Sequence, residues 1–189
     1  MPRSPFFKYI QVYFPQDQRE NADCISTHEC SPDRDGYPDT CIAIEPQVKC
    51  DGTPASTQRR SWGVFQIFDS CWSPYMNPAS PFSEEQWDNR MSPNINTWMA
   101  SKIWGGGGWR AWSTSGACGV SNVPGGPIPH PRAPLTEEEI DVELGEPPLP
   151  SPLPPGSNIV GLVGSAAPIV LGLGCLIGAV LLAKEVQKG

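Results

Sequence analysis

Between Glu146 and Lys184 the chain carries no charged residue, and the stretch leading into it, from Pro124 to Pro155, holds 11 of the 23 prolines. Neither segment suits a packed soluble core. The first lacks the polar face that a water-exposed helix needs, and the second favours extended backbone. A globular domain must therefore come from roughly the first 120 residues, enough chain for one core. All seven Trp lie between Trp62 and Trp112, so the bulk of that core, and any aromatic-lined cleft, belongs to its second half. The expected division is a folded domain over 1–120, an acidic Pro-rich linker over 121–156, and a membrane span with a short basic tail over 157–189. Gly156 to Ala183 is long enough to cross a bilayer as one helix, and Gly174-x-x-x-Gly178 within it is a weak helix-packing pattern. Lys184 and Lys188 beyond it place the C-terminus inside and the domain outside, giving a single-pass membrane protein.

The net charge of −7 is unevenly spread: the first 120 residues carry −3, and residues 121–156 set only Arg132 against six acids. No basic stripe exists to neutralise phosphates, which argues against a nucleic-acid partner. Six of the seven Cys (Cys24, Cys30, Cys41, Cys50, Cys71 and Cys118) sit in the expected domain, and an even set in a small domain points to disulfides and an oxidising destination. Their spacing matches no common zinc pattern and contains no Cys-x-x-Cys, so no metal and no cofactor is expected. Met1 to Pro15 lacks an uninterrupted apolar core, so no N-terminal signal peptide is expected.

Taken in order, residues 1–14 read as an aromatic, extended arm packed on the domain. Pro15, Asp17 and Glu20 open a helix whose inner face, Ala22 and Ile25, runs to Cys30, and Ser31-Pro32 ends it. Residues 32–61 read as a turn-rich excursion with strands at Cys41–Ile44 and Gln47–Cys50, Glu45-Pro46 between them, and a Cys41–Cys50 bridge that would clamp the hairpin. Ser83 to Trp87 reads as a short helix start. Ser92-Pro93 opens a stronger helix, with Ile95, Trp98, Met99 and Ile103 at helical spacing, and the glycines from Gly105 stop it. Leu135 to Glu139 reads first as solvated spacer, with a helix start as the alternative.

Three blocks carry a resemblance. Asn21-x-x-Cys24-x-x-x-x-Glu29 resembles the helix of C-type lysozymes in which a Cys stands five residues before the catalytic Glu. Gly63-Val64-Phe65-Gln66-Ile67 resembles the Gly-apolar-apolar-Gln-Ile turn of that superfamily and of lytic transglycosylases. Gly108-Trp109-Arg110-Ala111-Trp112, followed by Cys118, resembles the family's Trp-x-x-Trp and downstream Cys. The likeness covers roughly residues 14–120 and keeps the family order. It implies an α+β, lysozyme-like domain with a small β-hairpin region that cleaves the β-1,4 bond between N-acetylmuramic acid and N-acetylglucosamine in peptidoglycan. Glu29 would be the general acid and base, covered by Trp109. Gln66, the backbone at Ile67, and Phe68 would line the glycan site, with Trp62 or Trp72 stacking on sugar rings. The resemblance supports a Cys24–Cys118 bridge, which leaves Cys30–Cys71 and Cys41–Cys50.

The chemistry asks for what those residues offer. Breaking a glycosidic bond needs a proton on the leaving oxygen, and a Glu holds one near neutral pH only where burial raises its pKa. Glu45 is the rival, since it follows an apolar strand 18 residues before Gly63. Ser61 stands where C-type lysozymes carry an Asp, which suits a one-Glu transglycosylase. Asp33, Asp35, Asp39 and Asp51 leave open a hydrolase with a displaced second carboxylate. A muralytic domain tethered to a membrane resembles the transglycosylases of membrane-containing phages. Its partners would then be peptidoglycan strands, a lipid bilayer and other virion proteins, at the virion membrane or otherwise the cell envelope. A glycan-binding module without catalysis and a structural membrane protein of a virion are the rival classes.

Overall fold

A computed structural model describes residues 3–31 and 35–145, in which helices surround a small antiparallel sheet, an α+β arrangement. The uncharged run expected to cross a membrane lies outside the described residues. Among those described, no helix is long and apolar enough to cross one.

The N-terminal segment is not an extended arm. Phe7–Tyr13 forms helix α1, because Tyr9, Ile10, Val12 and Tyr13 recur at helical spacing and are all buried. A single 3-10 turn at Gln16–Gln18 then leads into α2, Arg19–Glu29, which buries Ala22, Ile25 and Ser26 and gives way to extended backbone at Cys30. The sheet has the order β1-β2-β3, from Ile42–Glu45, Arg59–Trp62 and Ile67–Phe68. Ile42 faces Trp62, and Ser61 faces Phe68.

The expected hairpin at Glu45-Pro46 does not form. β1 pairs instead with β2, and Asp51-Gly52 turns a smaller loop in which Ala55 N donates to Gln47 O and Lys49 N to Thr53 O. Cys41 and Cys50 therefore sit on different parts of the excursion and cannot clamp one hairpin. The disulfides are Cys24–Cys118, Cys30–Cys41 and Cys50–Cys71. The first agrees with the lysozyme-type expectation, and the other two replace the expected pairs. Cys30–Cys41 ties the end of α2 to the start of β1. Cys50–Cys71 ties the loop to the short helix α3, Asp69–Trp72.

Beyond α4, Glu84–Asp88, with its Ser83/Gln86 capping box, the central helix α5 runs from Pro93 to Gly107. It buries Trp98, Met99, Ile103 and Trp104. Gly105 to Gly107 complete its last turn rather than stopping it, and the stop comes at Gly108, whose φ is 68°. A Cβ at Gly108 would run into Val123 O, and one at Gly125 into the backbone at Trp104 and Gly105. The glycines let residues 123–126 lie directly on the end of α5.

That contact revises the domain boundary. Residues 121–145 are a strap over the core. Trp98 Nε1 donates to His130 O (2.9 Å), Lys102 Nζ to Pro131 O (2.7 Å), and Asn94 Nδ2 to Leu135 O (2.9 Å). Tyr13 Oη donates to Asn94 Oδ1 (2.6 Å) and accepts from Leu135 N (2.8 Å). The strap ends in α6, Glu137–Leu144, which carries a Thr136/Glu139 capping box and buries Ile140 completely. Proline content correctly implies extended backbone up to Thr136. It does not imply a solvated one, because extended carbonyls here accept from core indole and amide donors.

A chain ended after residue 120 should therefore lose about 3–5 kcal/mol, the cost of removing buried Ile140 from the core and orphaning the donors of Trp98 and Asn94. One ended after residue 145 should keep the strap contacts and that stability. Thermal melts followed by circular dichroism compare the two.

Candidate active-site groove

The site is built on the turn joining β2 to β3. Gly63 (φ 73°) and Gln66 (φ 46°) both take left-handed backbone, and Gln66 is the one non-glycine to do so among the described residues. Asn96, fully buried on α5, holds this turn from beneath. Its Oδ1 accepts from Phe65 N (2.9 Å), and its Nδ2 donates to Trp62 O and Arg90 O (both 3.0 Å). A Cβ at Gly63 would collide with that amide. Gln66 Nε2 donates to Cys41 O (2.9 Å) and Gly63 O (2.7 Å), and Trp112 Nε1 donates to Phe65 O (2.7 Å). A left-handed non-glycine costs on the order of 1–3 kcal/mol, which this many buried hydrogen bonds offset.

The opposite wall comes from the end of α2. Cys24 and Glu29 share that helix, and across from them Cys118 and Thr114 share the segment that follows Trp112. The Cys24–Cys118 disulfide and a 2.7 Å hydrogen bond from Thr114 Oγ1 to Glu29 Oε1 are two rungs of one ladder. Glu29 is half-buried. Burial pushes its carboxyl above the usual carboxylate range, the Glu45 charge pushes the same way, and the Thr114 hydrogen bonds and His28 only partly oppose them.

Glu29 opens into a groove of about 220 Å³ lined also by Glu45, Pro46, Val48, Ser61, Gln66, Phe68 and the run Ala111 to Ser113. Of the residues expected at the site, Glu29, Gln66 and Phe68 thus lie together. Gln66 spends both amide protons on backbone carbonyls, so its free valence toward a ligand is as an acceptor. Ile67 is buried beneath the turn. Trp62 stands outside the groove lining, with the Arg90 guanidinium 4.0 Å from its ring. Trp72 lines a different, apolar cavity with Pro81 and Ile103.

Contrary to the expectation from the Trp-x-x-Trp motif, Trp109 does not cover Glu29. It is fully buried, stacks on Phe14 (5.4 Å between centroids) and donates from Nε1 to Gln18 Oε1 (2.8 Å). The indole at the groove is Trp112. The Trp-x-x-Trp spacing announces two indoles one helical turn apart and does not say which of them faces inward. Glu45, weighed against Glu29 as a rival, instead shares the groove with it. Asp35, Asp39 and Asp51 do not line the groove, and Asp33 lies outside the described residues.

No family model, curated protein or solved structure matches this chain.

Burial gives a sign for stability against pH. A carboxyl whose folded pKa is raised penalises the fold once the unfolded chain's carboxyl ionises, so the penalty grows from the ordinary Glu range up to the folded pKa, is complete above it, and is gone below the ordinary range. Glu29→Gln should therefore melt higher than the native chain at neutral pH. The gap should close toward acid, below the ordinary Glu range, and melting curves across pH read it directly.

Proposed function

We propose that this chain is a lysozyme-like glycosidase that cuts peptidoglycan glycan strands, with Glu29 as the proton donor. The observation that carries the reading is a half-buried carboxyl, raised in pKa and hydrogen-bonded to Thr114, facing an open groove beside the Gln66 turn. Protonated Glu29 donates to the glycosidic oxygen as the C–O bond lengthens and positive charge builds on the sugar. Gln66 and Phe68 line the sugar's path, and Trp112 forms an apolar wall of the groove whose burial of Glu29 favours the protonated form.

Two outcomes follow for the cation. In hydrolysis, the second carboxylate takes a proton from a water that attacks the sugar carbon, and a reducing end forms. In transglycosylation, Glu29, now ionised, takes the proton of the muramoyl 6-hydroxyl, which closes a 1,6-anhydro ring without water. Ser61 in the groove offers no carboxylate, but Glu45 does, and its charge acts on Glu29. That placement favours hydrolysis, with Glu45 as the base. The uncharged run after Glu146 supports tethering such an enzyme to a bilayer, the virion membrane of a phage or a cell envelope. The short reach of a tether would confine cutting to the wall nearby.

Glu29→Gln should reduce release of soluble muropeptides from sacculi by about 10²–10⁴-fold with the fold intact. Glu45→Gln should cause a comparable loss if water is the acceptor, and mass spectrometry should then find reducing ends. Anhydro ends, with Glu45→Gln still active, would replace the hydrolytic assignment by the transglycosylase one. Native chain that binds sacculi and releases nothing would reduce the protein to a glycan-binding module.

A further inference from the structure

The groove does not end at Val48 and Ser61. Alternate residues of a strand share a face about 7 Å apart, so Arg59 lies on the same side of β2 as Ser61. Phe68 and Ser70 repeat that two-residue step and Val48 and Lys49 are consecutive: Val48, Ser61 and Phe68 line the groove, while Lys49, Arg59 and Ser70 line a second cavity of about 240 Å³. Ser70 Oγ donates to Val48 O (2.9 Å), which joins the two walls.

This second cavity is polar and cationic. Lys49 and Arg59 contribute two positive charges against the one negative charge of Asp51, whose Oδ1 is occupied by Thr53 N (2.9 Å) and Thr53 Oγ1 (2.6 Å). Among the described residues neither cation has a partner within ion-pair distance, and the buried Asp69 carboxylate acts on Arg59 from farther away. Arg59 is held in place: its Nη1 donates to Thr57 Oγ1 (3.0 Å) and lies 2.9 Å from Met76 Sδ. Its Nε is buried and closed to a ligand, so the nitrogen left to serve the cavity is Nη2, which makes no hydrogen bond among the described residues. Asn77, by contrast, is consumed internally, through Nδ2 to Cys71 O and Oδ1 from Ala79 N.

We infer that Lys49 and Arg59 form a carboxylate-binding subsite, joined to the Glu29 groove through the Ser70–Val48 contact, that reads the acidic substituent of a muramoyl unit. This rests on the glycosidase reading above and names the part of the substrate that sets specificity. A planar guanidinium with free N–H groups suits a carboxylate, and the ammonium of Lys49 adds a second, less directional charge. The substituent carries carboxylates of two origins, the lactyl group itself when no peptide is attached and the acids of the stem peptide when one is. Uncharged chito-oligosaccharides carry neither.

The test titrates the full 189-residue chain carrying Glu29→Gln, which prevents turnover, with three soluble probes of equal sugar length. These are a chito-oligosaccharide, a peptide-free muramoyl oligosaccharide and a muropeptide with its stem. The carboxylated probes should bind on the order of tenfold tighter than the uncharged one, with the advantage shrinking as salt rises. Adding Arg59→Gln should bring the three affinities together, and Arg59→Lys should restore part of the gap. Whichever carboxylated probe binds tighter identifies the origin of the carboxylate. Equal binding of all three, or a gap that survives Arg59→Gln, overturns the subsite. Release of muropeptides from sacculi by the native chain is followed in parallel. Release without the binding gap sinks the subsite alone, and no release sinks the glycosidase reading beneath it.

Discussion

Everything at the groove depends on one amide, that of Asn96. A turn with two left-handed residues would not hold its shape against solvent, and Asn96 grips it with two hydrogen bonds from the fully buried face of α5, its third going to Arg90 O. Because the donor to Phe65 O is Trp112 Nε1, the same turn also fixes the indole that walls the groove. Losing Asn96 would not merely delete contacts. It would leave Phe65 N unpaired in the core, and an orphaned buried donor costs more than the net value of the bond it made.

The second constraint is the pairing of α2 with the segment after Trp112. By the chain-entropy argument, Cys24–Cys118, 94 residues apart, is worth roughly 5 kcal/mol, against roughly 3 for Cys30–Cys41 at 11. The long bridge thus contributes most to holding the wall that carries Thr114 against Glu29. The aromatic stack of Phe14, Phe65, Trp104, Trp109 and Trp112 fills the space behind it, with ring centroids 5.4–6.2 Å apart. Part of that stability is spent on Glu29. Of the influences on its carboxyl, desolvation outweighs the Thr114 hydrogen bonds, and the group is left easier to protonate than in water.

Much of this was legible in the residues. Ser31-Pro32 marked the helix end that carries Glu29, since that signal is local and set by backbone geometry, while the turn at Gly63 and Gln66 was legible only through its resemblance to the lysozyme superfamily. What failed was non-local. Which of Trp109 and Trp112 faces the groove depends on the 3-10 turns between them and on Gln18, 91 residues before Trp109, accepting its indole proton. Cysteine pairing failed at Cys41 because strand partnership, β1 with β2 rather than with the nearer residues, decides which sulfurs meet. The strap over 121–145 escaped notice because proline specifies the backbone's path and is silent about what lies beneath it. Arg59 carried no signal beyond its charge until β2 placed it on the face of Ser61.

The central claim is that the Glu29 side chain keeps its proton in the groove until a glycosidic oxygen arrives. Carbon-13 NMR titration of that carboxyl in the folded chain measures it directly. The account predicts a midpoint clearly above that of an exposed Glu, falling back toward the ordinary range when Glu45 is replaced by Gln. A midpoint at or below the ordinary Glu value would contradict it.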